Sequence, residues 1–192
     1  SPEATAWLRG CAVIWVGGAA LSPDLAHRAR DARLPLAPCY GATETAAMVC
    51  ALPPGRFLAG DQGCGPPLDD VELRLEGPQA AIAVRSQRLS PGWFDDGGLQ
   101  PFAAADGWWR SGDAAQLGPE GLQWRGRLDG AISSGGETVF PEQVLERLLA
   151  LAAAEGLPLE ALLLLPQADP RWGERLVALV RLGPSAAADL LV

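Results

Sequence analysis

The sequence predicts a mixed α/β and α+β fold, in which an α/β layer and a small antiparallel β-unit precede a compact α+β segment. Strand, helix and strand alternate in residues 12–40, as they do in an α/β layer. Short strands of alternating polarity then appear among dense Pro and Gly, which indicates antiparallel pairing. After residue 140, an amphipathic helix is followed by two apolar runs, and this order predicts the α+β segment.

The α/β layer is predicted from the first third of the chain. Residues 12–16 (AVIWV) are apolar, include β-branched side chains and end at two glycines, so we predict a buried strand that meets a loop. Ser22 is a candidate helix N-cap with Pro23 at the first helical position, which predicts a helix reaching Arg33. Residues 36–40 form a second short apolar strand, and a glycine follows at once.

The antiparallel β-unit is predicted after residue 53. Apolar and polar residues alternate in residues 71–75 and 81–85, and this period of two is typical of strands with one buried face. Residues 108–128 continue the unit, with the sequence GPEG at 118–121 as a hairpin turn.

The α+β segment is the third predicted region. A helix is predicted from Pro141 to Gly156, because Pro favours the first helical turn and Gly favours the end of a helix. Residues 161–165 and 176–182 follow as strands, and the leucines of the first run predict that it is buried. The predicted apolar stripe of the helix consists of Val144, Leu145, Leu148 and Leu149.

Composition narrows the classes of function. The 192 residues carry 23 acidic and 15 basic side chains, a net charge of −8, and every basic side chain is Arg. This balance argues against nucleic acid as a partner, since binding to polyanions depends on basic side chains that neutralise phosphates. No apolar run reaches the ~18 residues of a membrane helix, and nothing resembles a signal peptide. We therefore predict a cytoplasmic protein without a membrane partner.

The cysteine pattern does not indicate a metal site. The four cysteines are widely spaced, and His27 is the only histidine. A structural zinc site needs four Cys or His ligands at suitable spacing, so none is predicted. Buried, reduced thiols are the expected state of these cysteines.

Three polar, glycine-containing motifs are candidates for a binding site. The first, YGATET at residues 40–45, directly follows a predicted strand, where α/β folds place ligands. Thr43 offers a hydroxyl group and Glu44 a carboxylate suited to Mg²⁺. A purely structural turn is the alternative at this point.

The second and third motifs lie further along the chain. WRSGD at residues 109–113 ends in an Asp that could accept hydrogen bonds from two sugar hydroxyls, although an Asp bonded to its own backbone turn is the alternative. GRLD at 126–129 and SSGGE at 133–137 precede the helix. The alternative for them is an ordinary loop.

Taken in order, these motifs resemble the core motif series of the adenylate-forming superfamily. That family contains acyl- and aryl-CoA ligases, adenylation domains of peptide synthetases, and luciferases. Residues 17–19 (GGA), 63–67 (GCGPP) and 169–174 (DPRWGE) also resemble family segments. Residues 39–46 and the compact loops are particularly similar to those of bacterial o-succinylbenzoate–CoA ligases, which act in menaquinone and phylloquinone biosynthesis.

The resemblance implies nucleotide-binding roles for five side chains. Tyr40 would pack against the adenine ring, and Thr43 would hydrogen-bond the α-phosphate. Glu44 would hold the Mg²⁺ that offsets charge on the transferring phosphate, so Thr43 and Glu44 would be the catalytic residues. Asp113 would bind the ribose hydroxyls, and Arg127 would reach the same sugar. The positions implied for the acyl and nucleotide pocket are Gly17, Gly18, Ala19 and Gly41.

The resemblance also implies a division of the chain. Residues 1–127 would be the C-terminal part of a large adenylation domain, and residues 128–192 would be part of a small mobile domain. Asp129 would be the hinge between them, and the pantetheine arm of CoA would pass Gly135 and Gly136.

The implied activity is that of an AMP-forming acid–CoA ligase that uses ATP, Mg²⁺ and CoA. An aromatic or acyl carboxylate would first form an acyl-adenylate and then a thioester. The family's glycine-rich phosphate loop is not found, and the chain has no Lys to serve as its adenylation lysine. We therefore expect a chain cut short at both ends and inactive alone. Another acyl- or aryl-CoA ligase, or a remnant that binds nucleotide without catalysis, remain alternatives, and the oligomeric state is left open.

Overall fold

A computed structural model describes residues 1–183 of the chain. The described residues divide into two compact units, 1–124 and 125–183, near the predicted boundary after residue 127. That the units are parts of a large and a small mobile domain stays a prediction.

The first half of the first unit contains a small mixed sheet. Strands β1 and β2 are parallel, and β2 pairs antiparallel with β3, with a register shift after Tyr40. Ser22 caps α2 as predicted, since its side chain accepts a hydrogen bond from the Leu25 amide. The elements are α1 (Pro2–Arg9), β1 (Ile14–Val16), α2 (Pro23–Asp31), β2 (Leu36–Ala42), a 3-10 turn (Thr43–Thr45), β3 (Ala47–Ala51) and α3 (Pro54–Ala59).

This arrangement confirms the predicted α/β layer, with two corrections. The first strand spans only Ile14–Val16, and Trp15 is 52% exposed, so the prediction of a buried strand over residues 12–16 was wrong. Helix α2 ends at Asp31, before the predicted Arg33.

The second half of the first unit is the predicted antiparallel β-unit. Its strands are ordered β4-β5-β8-β9 in one four-stranded sheet, and β6 and β7 form a separate hairpin that was not predicted. The turn predicted at residues 118–121 joins β8 to β9. The strands are β4 (Glu72–Glu76), β5 (Ala81–Arg85), β6 (Gly92–Asp95), β7 (Gly98–Pro101), β8 (Trp109–Gly118) and β9 (Gly121–Arg127). The last three residues of β9 belong to the second unit.

One hydrophobic core joins the two halves of this unit. Tyr40 of β2 and Val49 of β3 pack in the same cluster as Ile82, Trp109 and Leu122 of the antiparallel sheet. The core therefore fixes the end of β2 against β8 and β9, which is where two of the candidate motifs lie.

The second unit is an α+β unit, as predicted. Its sheet has the order β11-β10-β13-β12, and β12 and β13 form a long antiparallel hairpin. The elements are β10 (Ile132–Ser134), β11 (Glu137–Val139), α4 (Pro141–Ala154), β12 (Leu159–Asp169) and β13 (Gly173–Leu182).

Burial in this unit differs from expectation. Leu163 and Leu165 are 55% and 41% exposed, so the prediction of a buried strand over residues 161–165 was wrong. In α4, Leu149 of the predicted stripe is exposed, whereas Ala152 is buried. An apolar run shows that a strand could be buried. Whether other elements pack over the strand depends on the rest of the fold.

Two further expectations concern the cysteines and the membrane. All four thiols are free, but only Cys50 is buried and the other three are partly exposed, so the prediction of four buried thiols was wrong. No helix of residues 1–183 combines the length and the apolar character that a bilayer crossing requires.

Candidate functional site

The first unit brings two of the predicted nucleotide-binding residues into direct contact. The Tyr40 hydroxyl donates a hydrogen bond of 2.7 Å to Oδ2 of Asp113. Tyr40 lies on β2 and Asp113 on β8, and their side chains are 8% and 9% exposed. The core that packs β2 against the antiparallel sheet creates this contact.

A third side chain, which sequence reasoning did not identify, completes the arrangement. Nε1 of Trp124 on β9 donates to Oδ1 of Asp113 at 3.2 Å, so each carboxylate oxygen accepts a bond from a different strand. The Asp113 amide also donates to Oγ of Ser111 at 3.2 Å. No local signal in the sequence indicated the Trp124 contact, because strand pairing alone brings the indole to the carboxylate.

Burial determines the protonation state of the tyrosine. Burial raises the pKa of the Tyr40 phenol far above its ordinary value, and the charge of Asp113 raises it further, although a hydrogen bond with Ser111 opposes the rise. The phenol therefore stays protonated and remains a donor to Asp113 throughout the physiological pH range.

The 3-10 turn after β2 holds Thr43 and Glu44 in place. Thr45 is buried, and its Oγ1 lies 2.9 Å and 2.6 Å from the carbonyl oxygens of Ala42 and Ala47. The backbone carbonyl of Glu44 accepts a bond of 2.7 Å from the Ser90 amide. Thr45 is thus the structural residue of this motif, while the side chain of Thr43 is exposed and that of Glu44 is partly exposed.

Gly41 is required by the close approach of two strands. A Cβ atom at this position would lie 2.3 Å from the carbonyl oxygen of Ala47 and 2.6 Å from Cα of Met48. The chain can therefore turn from Tyr40 into Thr43 only with glycine at this position.

The loop at residues 17–19 lies beside β2. A Cβ on Gly17 would be 2.9 Å from Sγ of Cys39, and the Cys39 thiol donates to the Val16 carbonyl at 3.4 Å. Gly17, Gly18 and Ala19 are exposed. The structure thus places this loop next to the residue that precedes Tyr40.

Arg127 and Asp129 belong to the second unit and interact there. Nε and Nη2 of Arg127 donate to the two carboxylate oxygens of Asp129 at 3.1 Å and 2.9 Å. These hydrogen bonds hold the pKa of Asp129 below the usual value for an aspartate. The ribose contact of Arg127 and the hinge role of Asp129 stay predictions.

The loop with Gly135 and Gly136 also lies in the second unit. Both glycines have positive φ, +61° and +86°, and the Gly135 amide donates to the Trp172 carbonyl at 2.9 Å. A Cβ on Gly135 would meet the Trp172 ring at 2.9 Å. This loop is therefore closely packed on one side, and the predicted CoA path stays a prediction.

Within residues 1–183, no group of three or more His, Cys, Asp or Glu side chains is arranged to hold a metal ion. Mg²⁺ is commonly bound by one or two carboxylates together with substrate phosphates and water. The partly exposed Glu44, on a turn anchored by Thr45, fits such a site.

Comparison with known proteins confirms the resemblance predicted from the motifs. Residues 2–86 match the family model of the AMP-binding enzymes. The 2-succinylbenzoate–CoA ligase of Salmonella typhimurium is 31% identical over 173 residues, which cover 90% of this chain and 36% of the relative. The enzyme of the same name from Escherichia coli is 30% identical over 167 residues, which cover 87% of this chain and 35% of the relative. The chain thus spans about a third of the length of these curated relatives.

Solved structures show the same likeness. Escherichia coli MenE with a bound phenylether-linked analogue of OSB-AMS has a TM-score of 0.68 and 27% identity, covering 88% of this chain and 36% of that one. A second structure is the o-succinylbenzoate CoA synthetase (MenE) of Bacillus subtilis in complex with the acyl-adenylate intermediate OSB-AMP. It has a TM-score of 0.78 at 23% identity, and the match covers 95% of this chain and 39% of that one. The second likeness confirms the fold.

Proposed function

Because this chain is a relative of the AMP-binding enzymes, we propose that it is part of an ATP-dependent acid–CoA ligase that acts on o-succinylbenzoate. The observation that carries the proposal is the buried Asp113 carboxylate, held by Tyr40 and Trp124 beside the turn that presents Thr43 and Glu44. The names of the relatives support the choice of acid.

The proposed site holds adenosine through Asp113 and Tyr40. Tyr40 and Trp124 each donate to one oxygen of the Asp113 carboxylate. An ionised carboxylate is an acceptor only, which is the chemistry that recognises the hydroxyls of a ribose. The aromatic ring of Tyr40 would pack against the adenine.

The proposed chemistry has two steps. A carboxylate oxygen of the acid attacks the α-phosphorus of ATP, the bond to the β-phosphate oxygen breaks, and pyrophosphate leaves. The CoA sulfur then attacks the acyl carbon and AMP leaves, so that a thioester forms and the thiol proton is released. Thr43 would donate a hydrogen bond to the α-phosphate. Glu44 would hold Mg²⁺, whose chemistry is neutralisation of phosphate charge.

The remaining assignments belong to the same proposal. Arg127 would reach the ribose, Asp129 would serve as the hinge, and Gly135 and Gly136 would line the path of CoA. Rotation of the small domain about the hinge would let one site serve both steps. The loop of residues 17–19 would line the acyl pocket.

The test of this function is pyrophosphate release by the protein that contains this chain. With ATP and Mg²⁺, release is expected with o-succinylbenzoate and not with benzoate or a fatty acid. Glu44→Ala should lower the rate by at least about tenfold, since one ligand of the charge-neutralising metal is lost, and Asp69→Ala serves as a matched surface control. Preference for a fatty acid would refute the choice of substrate, and an unchanged rate of pyrophosphate release in Glu44→Ala would refute the metal role.

A second candidate function is nucleotide binding without catalysis. Such a protein would keep the Tyr40–Asp113 contact without carrying out the adenylation step. A protein containing this chain that binds AMP but releases no pyrophosphate with any acid would support this second function.

A further inference from the structure

One arginine fixes the loop of residues 86–91, which joins β5 to β6. Nε and Nη2 of Arg88 donate to the two carboxylate oxygens of Asp70, with the Nη2 bond at 3.2 Å, and Nη1 donates to the Met48 carbonyl at 3.1 Å. Hydrogen bonds from the guanidinium hold the pKa of Asp70 below its usual value, so the pair is charged at neutral pH. A single side chain thus joins this loop to β3 and to the segment before β4.

The same loop also holds the backbone of Glu44. The Ser90 amide donates to the Glu44 carbonyl at 2.7 Å, and Ser90 is two positions from Arg88. Within the loop, the Arg88 amide donates to Oγ of Ser86 at 3.2 Å. The Leu89 amide donates to the Ser86 carbonyl at 3.3 Å, so these residues form one turn. A change in the position of Arg88 would therefore move Ser90, and with it the backbone of Glu44.

The position of Glu44 is important because of the chemistry proposed for it. Mg²⁺ requires a near-octahedral arrangement of oxygen ligands at about 2.0–2.1 Å, and a binding group must be held within about 0.5 Å of its productive position. Arginine is suited to fix the loop, since its planar fork determines the direction of a bond to a carboxylate as well as its length.

We propose that Arg88 is a positioning residue, which holds Glu44 through Ser90 in the position from which the carboxylate binds Mg²⁺. This role rests on the proposed function of Glu44 as a ligand of the metal. It adds a residue that the motif series does not contain. If Arg88 acted only through its charge, its loss would strengthen the binding of a cation, because like charges repel. If Arg88 acts by position, its loss weakens that binding, so the two effects have opposite signs.

The first measurement is amide hydrogen exchange at Ser90, read by NMR in the protein that contains this chain, without ligands. Arg88→Gln removes the charged fork and keeps a polar side chain. In this variant the Ser90 amide should exchange several-fold faster than in the wild type, since its bond to Glu44 opens more often when the loop is less restrained. Leu89 packs against the core of the unit, so the loop should stay attached and the fold should be retained.

The second measurement is the Mg²⁺ dependence of pyrophosphate release by the same protein, with ATP and o-succinylbenzoate. In Arg88→Gln, the half-saturating Mg²⁺ concentration should rise about three- to tenfold, less than the roughly 10–100-fold that follows loss of a group bonded directly to a metal ligand. The rate at saturating Mg²⁺ should change less. Arg88→Lys keeps the charge and lacks the planar fork, so it should fall between the wild type and Arg88→Gln in both measurements.

The matched control is Arg85→Gln. Arg85 is exposed and donates to both carboxylate oxygens of Glu72 on the neighbouring strand β4, so its substitution also removes an exposed arginine fork. Neither the Ser90 exchange rate nor the Mg²⁺ dependence should change in this variant. Asp70→Asn weakens the contact of Arg88 from the other side. It should shift both measurements in the same direction as Arg88→Gln, which keeps the positioning role testable if that variant does not fold.

The results separate the positioning role from the function on which it rests. A wild-type protein that releases no pyrophosphate, or a Glu44→Ala variant with the Mg²⁺ dependence of the wild type, would overturn the metal role of Glu44 and the role of Arg88 together. If Arg88→Gln leaves the Ser90 exchange rate unchanged, or does not raise the half-saturating Mg²⁺ concentration, only the role of Arg88 is overturned. Circular dichroism of each variant shows whether the fold is retained.

Discussion

The hairpin turn between β8 and β9 has a glycine at each end, and the space for a side chain differs between the two positions. Gly121 is buried with φ of +111°, and a Cβ there would lie 2.1 Å from both C and O of Gly65. The approach is held by the Leu122 amide, which donates to the Gly65 carbonyl at 2.8 Å. Gly118, at the other end of the turn, has no atom within 4 Å of the position of a Cβ. Substitution by alanine should therefore have opposite effects on the free energy of unfolding at the two positions.

The size of each effect follows from backbone strain and from space. At Gly121, alanine would adopt a rare backbone conformation, at about 1–3 kcal/mol, and would overlap backbone that must shift, at about 1–3 kcal/mol. Gly121→Ala should therefore lower the free energy of unfolding by about 2–6 kcal/mol, the sum of these ranges. Gly118→Ala restricts mainly the unfolded chain and should raise the free energy by up to about 1 kcal/mol.

Urea unfolding followed by tryptophan fluorescence measures both variants against the wild type. The midpoint should fall for Gly121→Ala and should stay the same or rise slightly for Gly118→Ala, with the same slope. Equal small effects for the two variants would refute the reasoning, because they would mean that the strand carrying Leu122 does not approach Gly65 as described.

Two further predictions concern an ion pair and the thiols. Because Arg127 lowers the pKa of Asp129, the stabilisation by this carboxylate is present at neutral pH and is lost as the pH falls through the lowered pKa. Arg127→Gln should raise the Asp129 pKa in a carboxyl NMR titration, and an unchanged titration contradicts the pairing. Burial raises the pKa of Cys50 to about 12, so native Cys50 should be alkylated more slowly than partly exposed Cys11, as read by mass spectrometry. Unfolding in urea should remove the difference between the two alkylation rates. Fast alkylation of Cys50 in the native protein would contradict the prediction.

Local signals predicted the elements whose causes are local. The start of α2 was predicted correctly because a cap depends on neighbours, and the Ser22 side chain accepts from an amide three residues away. The turn at residues 118–121 was predicted for the same reason. The burial of residues 161–165 was predicted wrongly, because the exposure of Leu163 depends on which elements cover its sheet, and no residue of the strand itself reports this.

Local sequence signals were also insufficient to predict the contacts of the candidate site. The motifs identified Tyr40 and Asp113 separately, yet the two residues are 73 positions apart, and only the packing of β2 against β8 shows their hydrogen bond. Trp124 was missed because it lies outside the motifs and no local pattern marks it. Thr45 was missed as the anchor of the turn, although its small hydroxyl side chain in a polar turn is a signal for bonding to nearby backbone.

The burial of Asp113 connects stability to the proposed recognition of adenosine. Taking a carboxylate out of water is unfavourable unless hydrogen bonds replace those of water, and here Tyr40 and Trp124 supply two of them. Because these donors stand on strands fixed by one core, the carboxylate is oriented before any ligand arrives. Under the proposed function, a ligand with two adjacent hydroxyls would meet a carboxylate that is already oriented, and this would lower the entropic cost of binding. The same core that holds the unit together would then also prepare the proposed site.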